Sequence, residues 1–239
     1  MQDKSLFIPL QTKRAFDEIS DQVTKLIYQG VFKPGDKLPS ERELASQFNA
    51  GRMVVREALR ILEQSGFVCI KHGSAGGAFV KEIDSTVMKK SISDMLGVGN
   101  ITIQNLTEVR MGIEGAILEL ATFRRNQDDL KLMRESIDNA EQQILRGRRP
   151  YERSIEFHLL LAKAAKNPLY EIIIESIVDV MKSFILKAAP DEEYNKKILN
   201  HHKVIYKAIE NQNIRLAREV LKEHFHDFEK KYLKKRKKT

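Results

Sequence analysis

The chain holds one cysteine, Cys69, in 239 residues. No intrachain disulfide is possible, and nothing points to an oxidising compartment. No apolar run approaches the roughly 18 residues needed to cross a membrane. The opening segment, MQDKSLFIPL, lacks the long apolar stretch of a secretory signal. These absences predict a cytoplasmic protein without a membrane partner. Glycine is scarce in one region only. Ten of the 12 glycines precede residue 115, and only Gly115 and Gly147 lie beyond. Turns and a hairpin are therefore expected in the first third, and long helices after it.

Apolar material is ample: 42% hydrophobic against 31% charged residues suits a globular chain with a real core. The formal charge of +8 makes an anionic partner worth testing. That charge is unevenly placed. The last ten residues, KKYLKKRKKT, hold seven basic groups and no acid, so the remainder is nearly neutral. Such a tail either adds salt-sensitive, sequence-independent attraction to DNA or merely solubilises the terminus.

Residues 14–29 place Phe16, Ile19, Val23, Leu26 and Ile27 on one helical face. Gly30 ends that helix, and Pro34-Gly35 forces a turn. Ser40 and Glu43 form an S-x-x-E capping box for a short helix over 40–48. A second helix is predicted over 52–64, with Val55, Leu59 and Leu62 as its apolar stripe. Two short β-prone pieces, 67–71 and 78–80, flank the Gly-rich turn HGSAGG. This order is that of a winged helix-turn-helix. Beyond a short polar linker, seven helices are predicted: 86–97, 103–124, 127–146, 150–165, 168–187, 191–210 and 213–234. They imply an all-helical bundle.

A recognition helix sends its N-terminal side chains to base edges in the major groove. Here that helix opens with Arg52, and Arg56 shares its face. Arginine is the usual bidentate reader of guanine and a common phosphate contact. Arg42 lies in the preceding helix. The bland alternative is three arginines that only solvate a surface. At the wing, His72-Gly73 would let backbone approach DNA closely; a plain hairpin is the simpler account of those glycines.

The segment PGDKLPSERELASQFNAGRMVVREALRILEQSGFVCIKHGSAGGAFV resembles the DNA-binding domain of the GntR family of bacterial transcription regulators. The resemblance implies that Arg42, Arg52, Arg56, His72 and Gly73 contact operator DNA. Met53 and Val54 depart from the Ser or Thr common in the family. They cannot donate hydrogen bonds but can pack on a thymine methyl.

Six histidines occur, and three lie in separate predicted helices at apolar-flanked positions: His158, His202 and His224. A single helical histidine is usually structural. Three on three helices suit a transition metal held in a bundle core. Residues 86–230 resemble the ligand-binding domain of the FadR subfamily, through LTEVRMGIEGAILELA, SIEFHLLLAKAAKNPLY and HHKVIYKAIENQNIRLAREVLKEHF. The resemblance implies a divalent metal, zinc or nickel, held by His158, His202 and His224. The family's aspartate position is Ser154 here, a weak ligand. It also implies Arg110 and Asn167 as effector-binding residues. Arg110 and Glu114 form an i,i+4 pair that either supports the helix or orients Arg110. His201 and His226 fall away from the ligand face and are expected at the surface or behind the ligands. Cys69 is expected as a small buried residue.

The expected architecture is mainly α: a winged helix-turn-helix over 1–81, a linker at 82–85, an effector-binding and dimerisation bundle over 86–229, and a basic tail over 230–239. The expected function is a homodimeric transcription regulator, with a repressor the leading form. It would bind a palindromic double-stranded operator and answer to a small carboxylate or sugar acid. Two alternatives stand beside it. One is a metal-dependent enzyme built on the three histidines, for which Glu156 offers no convincing general base. The other is an effector-free structural DNA-binding protein, which would leave the histidines and Arg110 idle.

Overall fold

The computed structural model describes residues 14–82, 84–148, 150–188 and 191–232. The Ala189-Pro190 break and tail residues 233–239 lie outside the described residues. The chain divides into two compact units, Met1–Val87 and Met88–Thr239.

The first unit contains α1 (Ala15–Tyr28), α2 (Glu41–Gln47), α3 (Arg52–Gln64), β1 (Val68–Lys71) and β2 (Gly77–Val80). α1 buries Ile19, Ser20 and Val23. The Ser20 hydroxyl lies 3.2 Å from the Ala58 carbonyl and so ties α1 to α3. The predicted capping box is present on α2. Ser40 Oγ accepts from the Glu43 N–H, and the Glu43 carboxylate accepts from the Ser40 N–H at 2.7 Å. α3 buries Val55, Ala58, Leu59 and Leu62, one stripe at helical spacing. That stripe meets Ile19, Val23, Leu38, Leu44, Val68 and Val80 in one core. Burial therefore fixes which face of α3 is inside and leaves Arg52 and Arg56 outside.

β1 and β2 pair antiparallel, with Cys69 opposite Phe79 and Lys71 opposite Gly77. Cys69 is half-buried, not buried as its small size suggested. A third segment joins the hairpin. Lys37 bridges to Phe79, the Leu38 N–H donates to the Ala78 carbonyl at 2.9 Å, and the Val80 N–H donates to the Asp36 carbonyl at 2.8 Å. This strand-like edge was not expected, because it sits inside a Pro-Gly turn with no alternating pattern. Two glycines shape the tip. Gly73 has φ +105°, and a Cβ on Gly76 would lie 2.4 Å from the Lys71 carbonyl oxygen.

The second unit contains α4 (Thr86–Gly97), α5 (Ile103–Arg124), α6 (Gln127–Leu145), α7 (Tyr151–Ala164), α8 (Pro168–Ala188), α9 (Glu192–Glu210) and α10 (Ile214–Tyr232). Their order is the predicted one, and their bounds shift by only a residue or two. Asn213 caps α10 as expected, its Oδ1 accepting from the Leu216 N–H at 3.1 Å. Thr102 with Asn105, and Asn126 with Asp129, form two further capping boxes. Helix ends are also tied down from a distance. Arg124 Nη1 donates to the Ala165 carbonyl beyond α7, and Arg125 donates to the Ile209 and Glu210 carbonyls closing α9. These contacts satisfy carbonyls that a helix leaves open.

The core of this unit gathers Ile117, Leu118, Met133, Phe157, Leu161, Ile174, Ile205, Ile209 and Phe225 from α5 through α10. α5 carries an unusual load on its inward face. Between buried Leu106 and buried Ile117 it buries Thr107, Arg110 and Glu114. A charged pair thus sits where spacing alone would place leucines.

Candidate metal centre and DNA-reading surface

His158 on α7, His202 on α9 and His224 on α10 are all buried. Their ring centroids lie 5.0 Å apart in each of the three pairings. One ligand atom from each lies within 4.8 Å of the others, close enough to share one ion. The His202 ring stacks on Phe157 at 4.4 Å between centroids with planes 16° apart, which fixes its orientation. The three histidines predicted on separate helices are therefore brought together. Phe157 and Phe225 belong to the core, as expected of aromatics at helical spacing.

Glu114 links this cluster to Arg110. Its Oε1 accepts from Arg110 Nε at 2.5 Å, and its Oε2 lies 2.6 Å from His158 Nδ1. Burial pushes the Glu114 carboxyl up, but Arg110 and His158 outweigh it and hold it below the ordinary carboxylate range. A carboxylate that engages one imidazole nitrogen orients the ring and leaves the other nitrogen for a metal. Sequence spacing offered Glu114 only as a partner for Arg110, since His158 is 44 positions away. The available signal was the burial of an acid within the apolar stripe of α5.

Burial, and Arg110 after it, pushes His158 below the ordinary imidazole value. His202 and His224 are pushed well below it, with burial the largest cause. These shifts favour the neutral imidazole, the form that binds metal. His202 Nε2, His224 Nδ1 and Arg110 Nη2 are buried without a hydrogen-bond partner. Buried polar atoms without partners are costly. A divalent ion among the imidazoles, with an anion against Arg110, matches those unmet atoms. The donor set fits the group.

Other candidates fall elsewhere. Ser154 lies one turn before His158 on α7. Asn167 precedes α8, where its Oδ1 accepts from the Leu169 N–H at 3.1 Å, so its evident local task is capping. His226 is exposed, as expected. His201 is buried, with its Nε2 3.7 Å from Asp227 and its ring 6.0 Å from that of His224. It lies behind the cluster rather than at the surface.

On the first unit, Arg42, Arg52, Arg56, His72 and Gly73 are all exposed. Arg52 and Arg56 are not independent. Arg56 Nε and Nη2 donate to the two oxygens of Glu41 at 3.0 and 2.7 Å, and Arg52 Nη2 lies 3.8 Å from the same carboxylate. The hydrogen bond from Arg56 holds Glu41 below the ordinary carboxylate range. At the wing, Lys71 Nζ lies 4.5 Å from the Phe79 ring centroid and Lys37 Nζ 5.6 Å from it.

Residues 16–80 match the bacterial regulatory proteins of the gntR family, and residues 105–227 match the FCD domain. The chain is 26% identical over 216 residues to the Uxu operon regulator of Haemophilus influenzae, spanning 88% of this chain and 79% of that protein. It is 26% identical over 200 residues to the HTH-type transcriptional repressor NanR of Cronobacter sakazakii, spanning 83% and 75%. The solved structure of Streptococcus agalactiae GntR superposes with a TM-score of 0.65 at 26% identity, over 90% of this chain and 99% of that one. Among the described residues no helix is long and apolar enough to cross a membrane. Relatives of this kind are DNA-binding regulators, so the enzyme alternative falls. An N-terminal winged helix-turn-helix followed by an FCD domain makes the chain a member of the GntR family of bacterial transcription regulators, of the FadR type.

Proposed function

We propose that this regulator is a homodimeric repressor released or engaged by a small carboxylate or sugar acid bound beside a divalent metal. The observation that carries this is the convergence of three buried imidazoles on a buried Arg110–Glu114 pair with an unspent Arg110 nitrogen. His158, His202 and His224 would hold zinc or nickel, and Glu114 keeps His158 in the correct ring orientation. The bound metal supplies a Lewis-acid anchor for a carboxylate oxygen. Arg110 Nη2 takes a second oxygen of the same effector, since a guanidinium matches a carboxylate. Ser154 offers a hydroxyl in place of a charged ligand, and Asn167 remains a candidate effector contact.

On DNA, Arg52 and Arg56 read bases or phosphates in the major groove, Arg42 contacts the backbone, and His72-Gly73 approach at the wing. Two copies related by a two-fold axis call for a palindromic operator. The effector changes operator affinity only by its differential affinity for the free and DNA-bound arrangements. The repressor named among the relatives supports repression as the output. Domain limits of 1–81, 82–85, 86–229 and 230–239 go with this reading, the last as a salt-sensitive DNA-attracting tail.

The test has two arms. Full-length protein is used to select duplexes from a random library, and a panel of small carboxylates and sugar acids is screened by thermal shift with zinc or nickel present. An enriched palindrome, and an acid that raises the melting temperature and shifts operator affinity, support the proposal. No enrichment over random DNA overturns the operator reading. No metal uptake by the stripped protein overturns the metal reading.

A further inference from the structure

The geometry points to Glu41 as a specificity-determining residue: it spends one edge of Arg56 so that the guanidinium answers to base edges rather than to phosphates. This rests on the DNA-reading role proposed above for α3. Arg56 has five N–H donors on a planar fork. Glu41 engages the Nε–Nη2 edge through both carboxylate oxygens, at 3.0 and 2.7 Å. Arg56 Nη1 also donates to Met53 Sδ at 3.6 Å. Nη1 and Nη2 each keep one further N–H, on a side chain that is exposed. That fork fits the O6 and N7 acceptors of guanine. Arg52 shares the same carboxylate at 3.8 Å but makes no hydrogen bond to it.

The pairing has two effects on DNA. It fixes a long side chain that would otherwise sample many rotamers, so less freedom is lost when it meets a base. It also places a negative charge among the arginines that face the duplex. Phosphates attract without regard to sequence, through released counterions. A carboxylate beside Arg56 opposes that attraction wherever a phosphate comes near. It does not oppose a neutral base edge that aligns with the open fork. Glu41 therefore weakens random binding more than specific binding. Glu41 sits on α2 and Arg56 on α3, so the two helices of the reading head jointly set the discrimination.

The test compares full-length protein and Glu41→Gln on two duplexes: one recovered by selection from a random library, and its scrambled counterpart. Affinities are measured across salt concentrations. The variant is expected to bind the scrambled duplex several-fold tighter. Its slope of log K against log salt should steepen by about 0.9, one phosphate's worth. The ratio of selected to scrambled affinity should fall roughly tenfold, the scale of one bidentate base contact. In an Arg56→Ala background, Glu41→Gln should change that ratio far less, because the base-reading fork is then absent. The inference is overturned if both affinities move by one factor with an unchanged slope. It is also overturned if the ratio falls equally in the Arg56→Ala background. Failure to recover any selected duplex overturns the operator reading itself, which separates the two.

Discussion

Glu114 on α5 holds His158 on α7 through a 2.6 Å contact to Nδ1, while its other oxygen accepts from Arg110. One fully buried acid thus answers to a cation on its own helix and to an imidazole two helices on. Replacing it with glutamine keeps the shape and removes the charge. Arg110 is then buried without compensation, which costs about 3–5 kcal/mol. Metal retention should fall by about 10–100-fold, as for other partners of ligating histidines. Urea unfolding and equilibrium dialysis read the two effects. Unchanged stability would mean that the pair does not carry its own desolvation.

Zinc or nickel added to metal-stripped protein should raise the melting temperature in a concentration-dependent way. At a free metal concentration about 100 times Kd the gain is about 2.7 kcal/mol. His202→Ala should abolish most of that gain, because it removes one of the three candidate ligands. An equal gain in the variant would place the metal elsewhere.

Ser154→Asp puts a carboxylate one helical turn before His158. Metal affinity should tighten by about tenfold or more, the scale on which a single contact near a metal acts. Competition with a chromogenic chelator measures it. No change would show that position 154 does not reach the ion.

Arg52→Ala should cost about 1–3 kcal/mol on the selected duplex if Arg52 reads a base. The same loss on scrambled DNA, with a salt slope shallower by about 0.9, would make it a phosphate contact instead. Titration on both duplexes distinguishes the two.

Ser40→Ala removes one half of the capping box that starts α2. A loss of about 1 kcal/mol in thermal or urea melts is expected. A negligible loss would mean that the Glu43 carboxylate, still accepting from the backbone N–H of residue 40, suffices.

Much of the fold was legible because its signals are local. Helical stripes such as Val55, Leu59 and Leu62, and caps such as Ser40 and Asn213, depend on neighbours within one or two turns. The unforeseen contacts span long separations. Glu41 meets Arg56 across 15 positions, and Glu114 meets His158 across 44. Spacing cannot show that two side chains on different helices converge. For His201 two places stayed open for a related reason: its position on α9 shows which way it points but not what packs there. The edge at Lys37-Leu38 was missed because its pairing is made by backbone groups, which residue types hardly advertise. The histidine triangle was anticipated by residue type and resemblance, whereas its wiring to Arg110 required coordinates.

The Lys37–Phe79 bridge has a mechanical consequence. A lone two-stranded hairpin is marginal in water and bends freely. Here the 35–38 segment laces the wing to the chain that leads directly into Ser40 and α2. The hairpin is thereby tied through its backbone to the approach to α2, and through Val68, Ala78 and Val80 it shares one core with α3. On the DNA-reading role proposed above, α3 and the wing would meet a duplex at a separation set by that shared core. Sequences that bend or narrow to match that separation would then be favoured before any base is touched.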